Sequence, residues 1–413
     1  MSKAAATEPH PAHPRLTDAL RGQPKTVWVT AFAAVIAFMG IGLVDPILNT
    51  ITEELGASPT ETTLLFGSYL GVQVVAMLLT GVMSYRFGAK RTLITGLVLI
   101  VLAAGACALV NSIEALVWLR ALWGLGNAFF IATALSVIVG AAAGGQAGAI
   151  LLYEAALGVG LAVGPLLGAA LGTISWRGPF AGTAVLMAVG VILCATMLAK
   201  DKGKAERQRI RLIDPLLALR NRNLLLTSLG SAFYTAAFFA IIAWAPFVLE
   251  EGAFYVGFVF FGWGLCVAVS GVVLAPKVAR WFGERGGAVL AVLIYALVLL
   301  AMAVGNKTVV VIGIIVSGIF SGILNTLFTG TAMSSGTAPR AVNSAGYNFL
   351  RWFGGAVSAV LVGHVAGWLG LRAPFWVGAI CCALAAGLLL LRQEAGDPDP
   401  HTVPEEAAAV GAD

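Results

Sequence analysis

Apolar residues along this chain do not alternate with polar ones. They fill continuous runs at roughly 26–49, 62–84, 92–111, 115–140, 147–172, 179–199, 223–249, 254–276, 287–305, 308–334, 343–368 and 373–391. A helix rises about 1.5 Å per residue, so about twenty residues cross the hydrocarbon of a bilayer. Strands of a membrane barrel would alternate polar and apolar side chains, so the twelve predicted spans are helices. A polar leader, MSKAAATEPHPAHPRLTDALRGQPK, precedes the first run and has no small-residue cleavage site after a short apolar core. The first span is therefore expected to remain as an anchor.

The longest polar segment, KDKGKAERQRIRLIDPLLALRNRN, falls between the sixth and seventh runs. It predicts a division into a disordered cytoplasmic tail at 1–24, a six-helix bundle at 25–199, a basic cytoplasmic linker at 200–222, a second six-helix bundle at 223–392 and a disordered cytoplasmic tail at 393–413. The DPLLAL stretch within the linker predicts a short helix at the membrane surface. The halves repeat weakly: SYRFGAKRTL and VARWFGERGG align at Phe87-Gly88 and Phe282-Gly283, an offset of 195, and an offset of 197 sets Glu154 opposite Arg351. The expected fold is all-α and membrane-integral, two pseudo-symmetric six-helix bundles with a transport path between them.

Composition agrees with this. The 413 residues are 59% hydrophobic and 11% charged, where soluble domains carry about 25% charge. The net charge of +5 therefore has to be read by position. With the N-terminus taken as cytoplasmic, twenty Lys and Arg residues fall on that side and three, Arg177, Lys307 and Arg372, on the other. This bias puts both termini in the cytoplasm and the protein in the cell membrane, the inner or plasma membrane. Membrane orientation accounts for the basic loops, so nucleic-acid binding has no support. No phosphate-binding GxxxxGK[ST] loop, nucleophile elbow, HExxH or metal-spaced CxxC pair occurs, so the chain is read as neither an enzyme nor an ATP-driven pump, with no metal. All five cysteines lie in apolar runs and read as small core residues.

Three stretches then resemble the major facilitator superfamily, and within it the twelve-span drug:proton antiporters, over about residues 25–392. GVMSYRFGAKRTL (81–93) is similar to the superfamily's loop signature through Gly81, Gly88, Lys90 and Arg91, with Tyr85 where an aspartate is usual. LRALWGLGNA (119–128) resembles the fourth-helix signature of proton-coupled members, with Arg120 as its buried arginine. GVGLAVGPLLGAALG (158–172) resembles the fifth-helix antiporter signature through Gly160, Gly164, Pro165 and Gly168, with Ala169 replacing a second glycine. The resemblance implies gating roles for these loop and helix residues. The fifth-span glycines are expected to form a smooth seam against the other half, with the eighth span as partner.

Asp45, Arg120, Glu154 and Arg351 are the Asp, Glu, Lys or Arg side chains inside the predicted spans. Each costs at least about 2.5–3.5 kcal/mol at mid-bilayer, so each should be paired, wet or functional. Asp45 and Arg120 lie about 8 Å below the same boundary, which makes them either a proton site or a permanent ion pair pinning two helices. Glu154 shares a helical face with small residues and is either a second protonation site or a helix-seam carboxylate. Arg351, with Asn348 a turn earlier, is read as holding an anionic substrate group or pairing with a carboxylate. Tyr234, Phe238 and Trp244 are candidates for stacking on an apolar ligand, and Tyr69, Gln73, Asn127 and Asn325 for its polar contacts. The resulting expectation is proton-coupled efflux of a lipophilic small molecule or drug, by a monomer in contact with membrane lipid, with the proton gradient and no cofactor as energy source. The alternatives are uptake of a small metabolite or lipid translocation.

Overall fold

A computed structural model describes residues 22–142, 145–198, 211–335 and 340–392. Both predicted tails, apart from a few residues, and much of the basic linker lie outside the described residues. Among the described residues twelve helices correspond to the predicted spans: α1 Lys25–Gly42, α2 Pro59–Phe87, α3 Ala89–Cys107, α4 Ile113–Ala141, α5 Gly145–Gly172, α6 Gly178–Met197, α7 Arg222–Leu249, α8 Ala253–Val269, α9 Ala275–Val304, α10 Lys307–Ser334, α11 Arg340–Leu369 and α12 Ala373–Leu390. The end of the bundle where the chain passes from α6 to α7 is the linker end; the opposite end is the far end.

Two boundaries differ from the predicted runs. The first run breaks after Gly42, turns through a 3-10 segment at Asp45–Ile47 and resumes as a short helix, Leu48–Leu55. Pro46 explains this: it has no N–H to donate and its ring excludes a continuous helix. Conversely, α8 runs through a π turn at Ser270–Leu274 into α9. The stretch Ala253–Val304 is 52 residues long, about 78 Å at helical rise and more than twice the bilayer core. It crosses twice, and the break is Gly283, whose φ of 71° and ψ of 166° leave the helical region. Gly88 between α2 and α3 has φ 97° and ψ 156°. The repeat seen in sequence thus marks one backbone device used in both halves, at a conformation only glycine adopts without strain.

Side-chain caps fix several starts. Ser58 and Glu61 form a capping box on α2. Ser112 accepts from Ala115 N at 3.2 Å on α4, Asn221 from Leu224 N at 3.0 Å on α7, and Asn306 from Val309 N at 3.0 Å on α10. The linker's DPLLAL stretch is helical over Asp214–Ala218. Its Pro215 lies against Gly346 of α11, where an added Cβ would stand 2.5 Å from the Pro215 carbonyl oxygen.

The packing pattern repeats under a shift of six helices. α1 packs on α4, α5 and α6 as α7 packs on α10, α11 and α12; α2 and α3 pack on α4 as α8 and α9 pack on α10. The main contacts between halves are α5 on α8 and α11 on α2, which the same shift exchanges. Each half is therefore a six-helix bundle, and the two meet along a pair of equivalent seams. Outward side chains such as Trp118, Leu102, Ile192 and Leu297 remain exposed and apolar, as a lipid-facing surface requires.

The glycine seam differs from expectation. Cβ atoms added at Gly160 and Gly164 would meet Val35 O at 2.5 Å and Met39 O at 2.6 Å, and one at Gly168 would collide with Leu43 O. Val35 and Met39 lie in α1 and Leu43 directly after it, in the same half. The seam against α8 uses the adjacent face of α5. There a Cβ on Gly158 would lie 2.5 Å from Ala268 Cα, one on Gly264 2.5 Å from Ala162 N, and one on Gly257 2.7 Å from Ala169 Cβ and 3.0 Å from Pro165 O. Helical periodicity places small residues on a face; it does not say which neighbour covers that face, and on α5 two neighbouring faces are both small.

Candidate functional site

A cavity lies between the halves, lined by Phe38 and Ile41 of α1, Leu157 and Leu161 of α5, Thr235, Phe238 and Phe239 of α7, Asn325 of α10, and Arg351 and Trp352 of α11. The centre of a water-sized molecule has about 20 Å³ to move in, so in this conformation it admits a small group and no drug-sized ligand. The helices that supply most of it, α1 with α7 and α5 with α11, are paired by the six-helix shift.

Arg351 is the charged member of this lining among the described residues, 7% exposed. Its Nη2 donates to Asn325 Oδ1 at 3.0 Å, and Tyr234 Oη donates to the same oxygen at 3.2 Å. Tyr234 itself is buried behind the wall, stacked on Phe328 with ring centroids 6.0 Å apart. Phe238 lines the cavity and leans on Trp263, centroids 5.2 Å apart. The guanidinium also lies over the rings of Tyr347, at 5.9 Å, and Trp352, at 5.5 Å.

Glu154 reaches across the interface from α5, where its Oε1 accepts from Thr329 Oγ1 of α10 at 3.3 Å. It is 7% exposed. Among the described residues no ion pair joins it to Arg351 within 4 Å. A buried carboxylate held by a neutral hydroxyl is costly unless its protonation or its surroundings change during function.

Arg120 is fully buried toward the far end. It donates from Nε to Leu65 O at 3.3 Å and from Nη1 to Gly40 O at 3.4 Å. Its guanidinium is stacked between Tyr69, 4.5 Å from the ring centroid, and Trp123, at 4.7 Å. Gly124 permits this arrangement, since an added Cβ there would collide with the Tyr69 carbonyl. The backbone of Asp45 sits in the 3-10 turn at the end of the first span; its side chain lies outside the described residues.

The other candidates separate into groups. Asn127 donates from Nδ2 to Tyr69 Oη and, at 3.0 Å, to Gln73 Oε1, forming a fully buried cluster between α2 and α4 that does not line the cavity. Trp244 donates to Leu371 O at 2.8 Å, at the far end. Asn348 turns back on its own helix to Ser344 O at 3.0 Å and does not reach Arg351. In the loop signature, Lys90 Nζ donates to Leu198 O at 2.8 Å, closing the last turn after α6, while Arg91 is exposed and Gly81 half-buried. Sequence reasoning missed Phe38, Thr235, Phe239, Trp352 and Thr329. Thr235 and Trp352 adjoin named candidates, but leucines and phenylalanines facing a cavity carry no signal that separates them from those facing lipid.

The halves also touch at the far end. Asn49 Nδ2 donates to Pro246 O at 3.3 Å. Cβ atoms added at Gly67 and Gly363 would lie 2.7 Å from Val360 Cγ2 and 2.9 Å from Thr60 Cα.

Known proteins share this architecture and sequence. The profile of the Major Facilitator Superfamily matches residues 30–359. The chain is 43% identical over 374 residues to the multidrug efflux protein YfmO of Bacillus subtilis (strain 168), covering 90% of this chain and 93% of that one. Multidrug resistance protein 1 of the same organism is 27% identical over 261 residues, 60% of this chain and 66% of the relative. Among solved structures, the human organic anion transporter MFSD10 (TETRAN) superposes with a TM-score of 0.70 over 88% of this chain and 99% of that one, at 16% identity, a likeness of fold alone. A profile match over that length, with such identity and on this architecture, makes the chain a member of the Major Facilitator Superfamily.

Proposed function

We propose that this transporter exports lipophilic small molecules across the cell membrane in exchange for protons, by alternating exposure of the cavity between its halves. Glu154 carries the reading. It is a buried carboxylate, supplied by one half and bonded to Thr329 of the other, beside the cavity those halves enclose. Gaining or losing a proton there changes the strength of a contact that must break when the halves rock. The 43% identity to a protein named for multidrug efflux supports the substrate class and direction. The excess of Lys and Arg at the linker end supports cytoplasmic termini, so the contacts of Asn49, Thr60 and Gly67 close the outer side. The protein works as a monomer, since both halves of the cavity come from one chain.

Asp45 and Arg120 form the second proton-linked pair of this reading. Arg120 grips the first span at Gly40, just before the turn that carries Asp45. Separating an acid from its arginine alters its hold on a proton.

The test is flux in proteoliposomes under an imposed pH gradient, screened over lipophilic anions, cations and neutral compounds. Export should follow the gradient and lose that response in Glu154→Gln. Indifference of every flux to the gradient overturns the proton-coupled reading.

A further inference from the structure

We infer that the cavity is a seat for the anionic end of an aromatic molecule, so that the exported compounds are lipophilic organic anions and not lipophilic cations; this rests on the export reading above. Arg351 supplies the charge. It is 7% exposed, and of the described residues lining the cavity it alone is ionised. Asn325 occupies its Nη2, but its Nε has no hydrogen-bond partner among the described residues. A buried guanidinium N–H without an acceptor is costly, and a ligand carboxylate, sulfonate or phenolate supplies that acceptor.

Thr235 gives a second, independent observation. Threonine inside a helix ordinarily turns its hydroxyl to the carbonyl one turn back, as Thr227 does to Asn223 O at 2.7 Å on the same helix. Thr235 is 3% exposed and on the cavity wall, and its buried Oγ1 has no such partner among the described residues. Two residues lining one cavity, from α7 and α11, thus each carry a donor with no partner among the described residues. Around them stand Phe38, Phe238, Phe239 and Trp352, apolar surfaces that suit a flat ring.

The charges of the lining favour an anion over a cation. Glu154 turns its carboxylate to Thr329 and lies outside the lining. A cation entering the seat would therefore meet an arginine and no carboxylate among the described lining residues. The present space takes only the anionic group, so the ring enters as the halves part.

Two probes with one ring and opposite charge test this: 2-naphthoate and 2-naphthyltrimethylammonium, with binding to the purified full chain followed by naphthalene fluorescence and no gradient present. Naphthoate should bind at least about tenfold more tightly than the cation. Arg351→Gln should weaken naphthoate binding by about tenfold or more, Arg351→Lys should restore part of it, and Thr235→Val should weaken it by a few fold. Equal or tighter binding of the cation, or naphthoate binding unchanged in both Arg351→Gln and Thr235→Val, overturns the inference. Thr235→Val preserves volume and tests the seat if Arg351→Gln does not fold. Flux in proteoliposomes separates this from the export reading. Arg351-dependent naphthoate binding without gradient-driven flux of any probe leaves the seat and removes export; gradient-driven flux of the cation, insensitive to Arg351, leaves export and removes the seat.

Discussion

Ala169 of α5 and Gly257 of α8 meet across the two halves so closely that a Cβ on the glycine would stand 2.7 Å from that of the alanine. The fifth-helix signature usually has a glycine at the position of Ala169. Here the methyl group is on α5, and Gly257, lacking one, leaves the room for it on α8.

That relationship predicts compensation. Gly257→Ala alone should impair flux, because two methyl groups would then share room for one. Adding Ala169→Gly should recover much of it. Part of the loss should persist, since Pro165 O also lies 3.0 Å from the Gly257 position. A double variant no better than Gly257→Ala would show that the two sites are not coupled.

Gly164 behaves differently because it faces α1. A leucine there would drive α5 away from the Met39 carbonyl, 2.6 Å from the added Cβ. The expected result is a lower thermal midpoint in detergent and poor yield. Normal stability with selective loss of transport would instead return Gly164 to the moving interface.

Gly88→Ala and Gly283→Ala should cost similar stability, about 1–3 kcal/mol each, because both glycines hold positive φ with extended ψ at the same turn of the repeat. No neighbour lies within 4 Å of a Cβ on Gly283, so the cost there is conformational. Thermal denaturation of the single variants reads it; an unchanged midpoint in either would deny the turn its role.

Arg120→Lys should destabilise the first bundle by roughly 1–3 kcal/mol despite keeping the charge. Lysine cannot place a planar cation between Tyr69 and Trp123 while reaching two backbone carbonyls. The measurement is thermal stability beside proton-coupled flux, and equal performance of Lys and Arg would reduce the site to a point charge.

Thr329→Val should leave the chain folded and shift the pH response of flux, since the hydroxyl holds Glu154 at 3.3 Å. Glu154→Gln should abolish that response. A Thr329→Val profile superimposable on the parent would separate this contact from coupling.

Most of the architecture was written in continuous apolar runs, because a helix in lipid needs little beyond length and apolarity. The glycine pair at 88 and 283 even disclosed the repeat. Contacts were less legible. Gly160, Gly164 and Gly168 announce a close neighbour without naming it, and α1 and α8 were equally able to fill the role. Tyr69, Gln73 and Asn127 looked like cavity polar groups, yet they bond to one another between α2 and α4, away from the cavity. The wall of Phe38, Leu157, Leu161 and Phe239 was illegible because an apolar side chain reads the same toward a cavity as toward lipid.

The halves are fastened at opposite ends of the cavity by modest bonds, Asn49 to Pro246 and Glu154 to Thr329. A hydrogen bond contributes about 1 kcal/mol, which changes the ratio of two conformers only about fivefold. Small-residue seams surrounded by lipid hold mainly through van der Waals contact. Neither bond is by itself strong enough to hold the halves in one arrangement, so the load of keeping them together falls on the seams between α5 and α8 and between α2 and α11.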